Sequence, residues 1–149
     1  MESKETKVLI FSINNEYYAT DIMEVERILG YEEPTKLPDS LNFVEGVINY
    51  EGSILPIISL AKKFNLACNE KLNDAKIIVA KQGSSKIGII VDVVSEVKDV
   101  NSKNIEVPPE IVAGISRRYI KGLIKIDKKI IIFLNLGAIL TEQEKSQIC

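Results

Sequence analysis

The chain has 149 residues, with 19 basic against 21 acidic side chains and no histidine. A formal charge of −2 without a long basic run gives a nucleic-acid backbone no electrostatic footprint. The lack of histidine excludes Ser-His-Asp and Cys-His catalysis and the usual His/Cys zinc sites, while 27% charged residues in an aliphatic background indicate a folded domain.

The opening "MESKETKVLIFS" carries acidic residues and no apolar core of a secretory signal. Apolar runs such as "KIIIFL" are far shorter than the ~20 residues of a membrane-spanning helix. A cytoplasmic protein without direct membrane insertion is therefore expected. Cys68 and Cys149 have no metal-ligand spacing and suggest no disulfide framework.

"KVLIFSI", the turn "NNE" and "YYATDI" predict a first hairpin, by β-branched content and turn residues. "MEVERILGY" continues extended, with room for a single helical turn before Gly30 and Pro34. "EEPTKLPDSLNF" is a connector, since its two prolines forbid a central strand. "GVINYEGSILPIISL" predicts a second hairpin turning at Gly52-Ser53, with Pro56 placing its strand at an edge or in an irregular stretch. Ser59 is a candidate N-cap for a helical turn over "LAKKF". After the polar crossover "NLACNEKLND", the run "AKIIVAKQGSSKIGIIVDVV" predicts strand, "QGSS" turn and strand. A second proline connector and the hairpin "GLIKIDKKIIIFLNL" follow, and Thr141 with Glu144 forms a capping box for a short helix over 141–148.

The two hairpins align without a gap at a constant offset, 122 − 46 = 76. Asn135 stands at the position of Ser59, and "TDIMEV" echoes "VDVVSEV". The reading is a duplication, each half supplying about five short strands. A mostly β protein of two small five-stranded barrels packed together is expected, with a single twisted sheet or sandwich as the alternative. The division expected from sequence is one unit over 1–149. Its first subdomain spans about 15–65 and its second about 76–140, with strand 7–14 and helix 141–148 packing across.

Few residues carry chemistry. Asp21 and Asp92 occupy equivalent places in the halves, so a shared carboxylate pair is conceivable; a strand-end Asp taking local backbone hydrogen bonds is the plainer reading. No Gly-rich phosphate loop occurs, because "GSSKIG" lacks both the spacing and the following helix. Arg117, Arg118 and Lys121, interrupted by Tyr119, read as a solvated loop edge. No metal or cofactor site is expected.

The ordered set "EYYATDIMEVERILGYEEPTKLPDSLNFVEGVINYEGSILPIISLAKKF", "KIGIIVDVVSEV", "NIEVPPE" and "RYIKGLIKIDKKIIIFLNL" resembles the CheW family of bacterial chemotaxis coupling proteins, from Lys7 to about Leu140. The resemblance implies two Src-homology-like barrels and no catalytic activity. It implies a scaffold that binds the cytoplasmic tip of a chemoreceptor and the regulatory domain of the chemotaxis histidine kinase. By the same resemblance, the receptor tip is expected in the groove between barrels, at Ile22, Val25, Arg27, Ile28 and Glu51. The kinase domain is expected near the segment leading into Gly46, at Leu37, Leu41, Phe43 and Gly46. Val25 and Ile28 suit an apolar groove for a helix; the core is an equal alternative for Val25 and a lesser one for Ile28.

Two departures from the family pattern stand out. The signature Arg of the Gly-Val-Ile-Asn-Leu-Arg-Gly run is Glu51 here, and the usual Glu of the preceding extended segment is Arg27; together they suggest one ion pair with its polarity inverted. The Ile-Asp-Leu-Arg run is Ile58-Ser59-Leu60-Ala61. Both departures leave the partner open, so a related adaptor in another signalling pathway is a second reading. A nucleic-acid-binding β-barrel is a third, which steeply salt-dependent RNA binding would favour.

Overall fold

The computed structural model describes residues 5–64, 74–107, 119–140 and Glu144. The architecture is mostly β, as expected: eleven strands among the described residues form two sheets. In chain order they are β1 (Glu5–Ile13), β2 (Glu16–Asp21), β3 (Val25–Gly30), β4 (Val44–Tyr50), β5 (Ser53–Ser59), β6 (Lys76–Gln82), β7 (Ser85–Val91), β8 (Val93–Asn101), β9 (Ile105–Glu106), β10 (Ile120–Ile126) and β11 (Lys129–Leu134). One short helix, α1 (Leu60–Lys63), follows β5. Cys68, Cys149, Arg117 and Arg118 lie outside the described residues, as does the expected terminal helix apart from Glu144.

Strand pairing runs across the expected boundary between 15–65 and 76–140. The six-stranded sheet runs β8-β1-β2-β11-β10-β9 and the five-stranded sheet β3-β6-β7-β5-β4. Each half therefore lends its first hairpin to the other: β1–β2 joins β8 and β11, while β6–β7 joins β3 and β5. The exchange is reciprocal down to the register. β2 pairs parallel to β11 and β7 pairs parallel to β5, with Ala19 opposite Phe133 and Gly88 opposite Ile57.

The exchange explains the near-continuous apolar runs of β1 and β6. Val8 and Ile10 point into the core of the six-stranded sheet, with Ile124, Ile131 and Phe133. Ile77 and Val79 point into that of the five-stranded sheet, with Ile48, Tyr50, Leu55 and Ile57. The alternate residues Leu9, Phe11 and Ile13, and Ile78 and Ala80, meet in a larger core shared by both sheets. A strand buried on both faces has no polar side to alternate with.

Three local expectations change. The β4–β5 turn is Glu51-Gly52, not Gly52-Ser53: Tyr50 pairs with Ser53, and the two turn residues take φ of 50° and 81°. That is the two-residue hairpin geometry requiring positive φ at both positions, as at Asn14-Asn15 and Asp127-Lys128. Pro56 lies in β5, which has neighbours on both sides. It is tolerated because the ladder to β7 begins one residue later, at Ile57. Ser59 caps α1, its hydroxyl accepting from the Lys62 N–H at 3.2 Å, but the Asn135 side chain makes no such bond. There the Leu136 N–H donates to Glu24 Oε2 at 3.1 Å and the Ala138 N–H to the Asn135 carbonyl.

Candidate functional site

β3 and β8 occupy ends of their strand orders, and each is interrupted by one bulged residue. Val25 pairs with Ala80 and Arg27 with Val79, which leaves Glu26 unpaired; Phe11 pairs with Val94 and Ile10 with Glu96, which leaves Ser95 unpaired. Side chains three apart on a regular strand lie on opposite faces, but one inserted residue returns them to the same face. Val25 and Ile28 therefore both stand beside the shared core, opposite Ala80 and Ile78. Val94 and Val97 do the same opposite Phe11 and Leu9.

Ile22 and Val25 pack against the shared core as half-buried residues, and Val94 matches them from the other sheet. Ile28 and Val97 remain 40% and 48% exposed, an unsatisfied apolar edge on each side of the seam. Only the β3 side was anticipated. The β8 side was legible as Val25-Glu26-Arg27-Ile28 against Val94-Ser95-Glu96-Val97, an offset of 94 − 25 = 69. That offset differs from the hairpin offset, which hid the match. Met23, 75% exposed in the single 3-10 turn Ile22–Glu24, adds a flexible apolar side chain next to Ile22.

Arg27 and Glu51 meet. The Nη1–Oε1 distance is 2.9 Å with more than half of each side chain exposed, and the guanidinium lies 5.8 Å from the Tyr50 ring centre. The Tyr50 hydroxyl donates to Glu26 at 2.7 Å, and Glu26 pairs with Lys86 at 2.9 Å. Hydrogen bonding from Lys86, then from Tyr50, holds the Glu26 carboxyl below its ordinary value. Donation to Glu26, then burial, pushes the Tyr50 hydroxyl up. This network ties the bulge of β3 to the β4–β5 turn, although the two lie far apart in the strand order.

The second predicted set divides. Leu37, 46% exposed, and half-buried Leu41 line a small depression with Asp39, Ser40, Val44, Val47 and Pro56. Phe43 is 5% exposed and belongs to the shared core, so it offers a partner no surface. Gly46 is structural: its φ is +142°, and a Cβ there would lie 2.2 Å from the Thr35 carbonyl oxygen. Thr35 crosses at this point, exchanging two backbone hydrogen bonds of 2.9 Å with Val47.

Asp21 and Asp92 do not share a site. Asp21 pairs with Val8 and accepts from the Met23 N–H at 3.0 Å. Asp92 accepts from the Asn14 N–H at 2.7 Å, while its own N–H donates to Ser12. Val8 and Ser12 stand four residues apart on β1, about 13 Å. Among the described residues no group of His, Cys, Asp and Glu is placed to hold a metal ion, and no helix is long and apolar enough to cross a membrane. Lys121 is held by Glu24 at 3.5 Å.

Known proteins match this chain over nearly all of its length. Residues 7–144 match the model of the CheW-like domain family. The chain is 31% identical to the chemotaxis protein CheW of Klebsiella aerogenes over 99% of its own length and 89% of that protein's. It is 33% identical to the chemotaxis protein CheW of Thermotoga maritima, over 93% and 90%. The crystal structure of the scaffolding protein TtCheW from Thermoanaerobacter tengcongensis superposes with a TM-score of 0.86 at 33% identity, over 95% of this chain and 96% of that one. The bulged edge strands, the exchanged hairpins and the Gly46 hairpin thus sit in a chain that belongs to the CheW family of chemotaxis scaffold proteins.

Proposed function

We propose that this protein is a non-catalytic cytoplasmic scaffold that couples chemoreceptors to the chemotaxis histidine kinase. The observation that carries the receptor half is the matched pair of apolar edges, Val25/Ile28 and Val94/Val97, with Ile22 beside them. An amphipathic helical tip would lay its apolar face between them, and burying Ile28 and Val97 would remove the exposed aliphatic surface that now borders the seam. Arg27 and Glu51 rim one side and would sort receptor charges. The regulatory domain of the kinase would sit on the Leu37/Leu41 depression, with Gly46 and Phe43 supporting that surface from below. No cofactor enters the reading.

Calorimetric titration against the isolated kinase regulatory domain and against a receptor-tip fragment tests it. Saturable binding with a negative heat-capacity change is expected for both. Ile28→Glu should weaken the receptor fragment at least about tenfold and leave the kinase domain unaffected, and Leu37→Glu should do the reverse. No binding of either partner at tens of micromolar, on the order of −6 kcal/mol, would overturn the coupling role.

A second reading has its own observation. The Arg27–Glu51 pair is formed with its charges reversed relative to the family pattern, so the rim offers a mirror-image charge order. An adaptor for a receptor cluster outside swimming behaviour fits that rim. Binding to a receptor of non-standard tip charge, with none to a standard tip, would select it.

A further inference from the structure

Lys63, the last residue of α1, is one of the most enclosed cations of the described structure. Its side chain is 7% exposed, and its ammonium donates to both carboxylate oxygens of Glu144, at 2.6 and 2.5 Å. It also lies 4.4 Å from the centre of the Phe43 ring and 5.6 Å from that of Tyr119.

The two rings are related by the duplication. Their spacing is 119 − 43 = 76, the hairpin offset. Their carbonyls accept the N–H groups of Ser59 and Asn135, at 2.8 and 2.7 Å, which are again one repeat apart. Phe43 leads into β4 of the five-stranded sheet and Tyr119 into β10 of the six-stranded sheet. One ring from each half therefore faces the same cation. The repeat partner of Lys63 is Ile139, fully buried in the shared core, so the duplicated clamp holds a single charge. Phe64 tilts onto Tyr119 at 5.6 Å and closes the cluster.

Besides this clamp, the contact between the sheets consists of the shared apolar core and a buried hydrogen bond from the Gln82 side-chain amide to the Leu136 carbonyl. Apolar burial is non-directional and does not by itself select one orientation of two packed sheets. A desolvated ammonium between two rings and a two-oxygen carboxylate has one favourable placement, and displacing it leaves a buried charge unpaired.

We infer that Lys63, clamped by Phe43, Tyr119 and Glu144, is a staple that sets the mutual orientation of the two sheets and with it the spacing of the Ile28 and Val97 walls. Assigning a receptor to that seam rests on the proposal above; the staple itself does not.

The test uses the full chain with Cys68→Ser and Cys149→Ser, spin-labelled at Ile28→Cys and Val97→Cys. Electron–electron dipolar spectroscopy then reads the distance between the walls. The parent should show one narrow peak. Glu144→Gln and Lys63→Met should each lose it to a broadened or displaced distribution while far-UV circular dichroism stays that of the parent. Should either single variant fail to fold, the double variant Lys63→Met/Glu144→Gln decides, with the same loss expected. A parent that is already broad, or folded variants that keep the parent's peak, would overturn the staple. Neither result touches the titrations above, so the two proposals fail separately.

Discussion

Arg27 and Glu51 meet in a setting where an ion pair contributes ~0–1 kcal/mol, because both side chains are mostly in solvent. The receptor site proposed above assigns their effect to recognition. Arg27→Glu and Glu51→Arg singly place like charges together and should each weaken receptor-tip binding in calorimetry, with melting temperatures close to the parent's. Together they restore a pair of the opposite sense and should retarget binding toward tips of opposite charge. Equal binding by all three variants would remove the pair from the site. Tyr18 makes the contrasting case. It is fully buried, and burial, then the Glu16 charge, pushes its hydroxyl up to about 12. In the unfolded chain the same group ionises near pH 10. Between those values the unfolded state sheds a proton that the folded state keeps. Stability should therefore fall as pH rises from about 10 to about 12, by roughly 2–3 kcal/mol from this residue. Urea titrations at several alkaline pH values check this, and Tyr18→Phe should flatten the slope.

At the scale of elements, bulges and close crossings repeat with the hairpins. Glu45 in β4 and Lys121 in β10 are both unpaired, and each precedes a glycine under a crossing backbone: Thr35 over Gly46, and β9 over Gly122. Thr35 bridges Val47 as Glu106 of β9 pairs with Leu123, one repeat later. Gly46→Ala would push a methyl into the Thr35 carbonyl at a backbone angle that L-residues avoid, and neither backbone can yield alone. A loss of roughly 2–4 kcal/mol is expected, read as a melting temperature lower by several degrees. Any loss of kinase-domain binding should follow the displaced Thr35–Leu41 segment rather than a lost contact at position 46 itself. An unchanged melting temperature would show that the crossing is softer than its geometry implies.

At the scale of the whole molecule the halves are interlocked, since each completes its sheet with a hairpin of the other. Neither half can bury its share of the core alone. Fragments 1–65 and 74–149 should be largely unstructured apart and should recover β-sheet circular dichroism on mixing. Two fragments that each fold independently would contradict the exchange. Strands and most turns were legible in the sequence because they depend on local chemistry, and the duplication because the hairpins repeat at one offset. Asn14, Asn15 and Asp127 suit positive φ, β-branched runs suit the pleat, and Ser59 suits a helix start. The Arg27–Glu51 contact was also legible, through two departures that compensate each other. Phe43 as core, Gly46 as a crossing point, and Val94/Val97 as the second wall were not. Those assignments depend on which strand lies next to which. By itself the sequence determined the elements and their repetition, and only the tertiary structure decided their pairing. The reason is physical: the backbone groups that join strands are the same at every residue, so partners are selected by how both faces of β1 and β6 are buried at once.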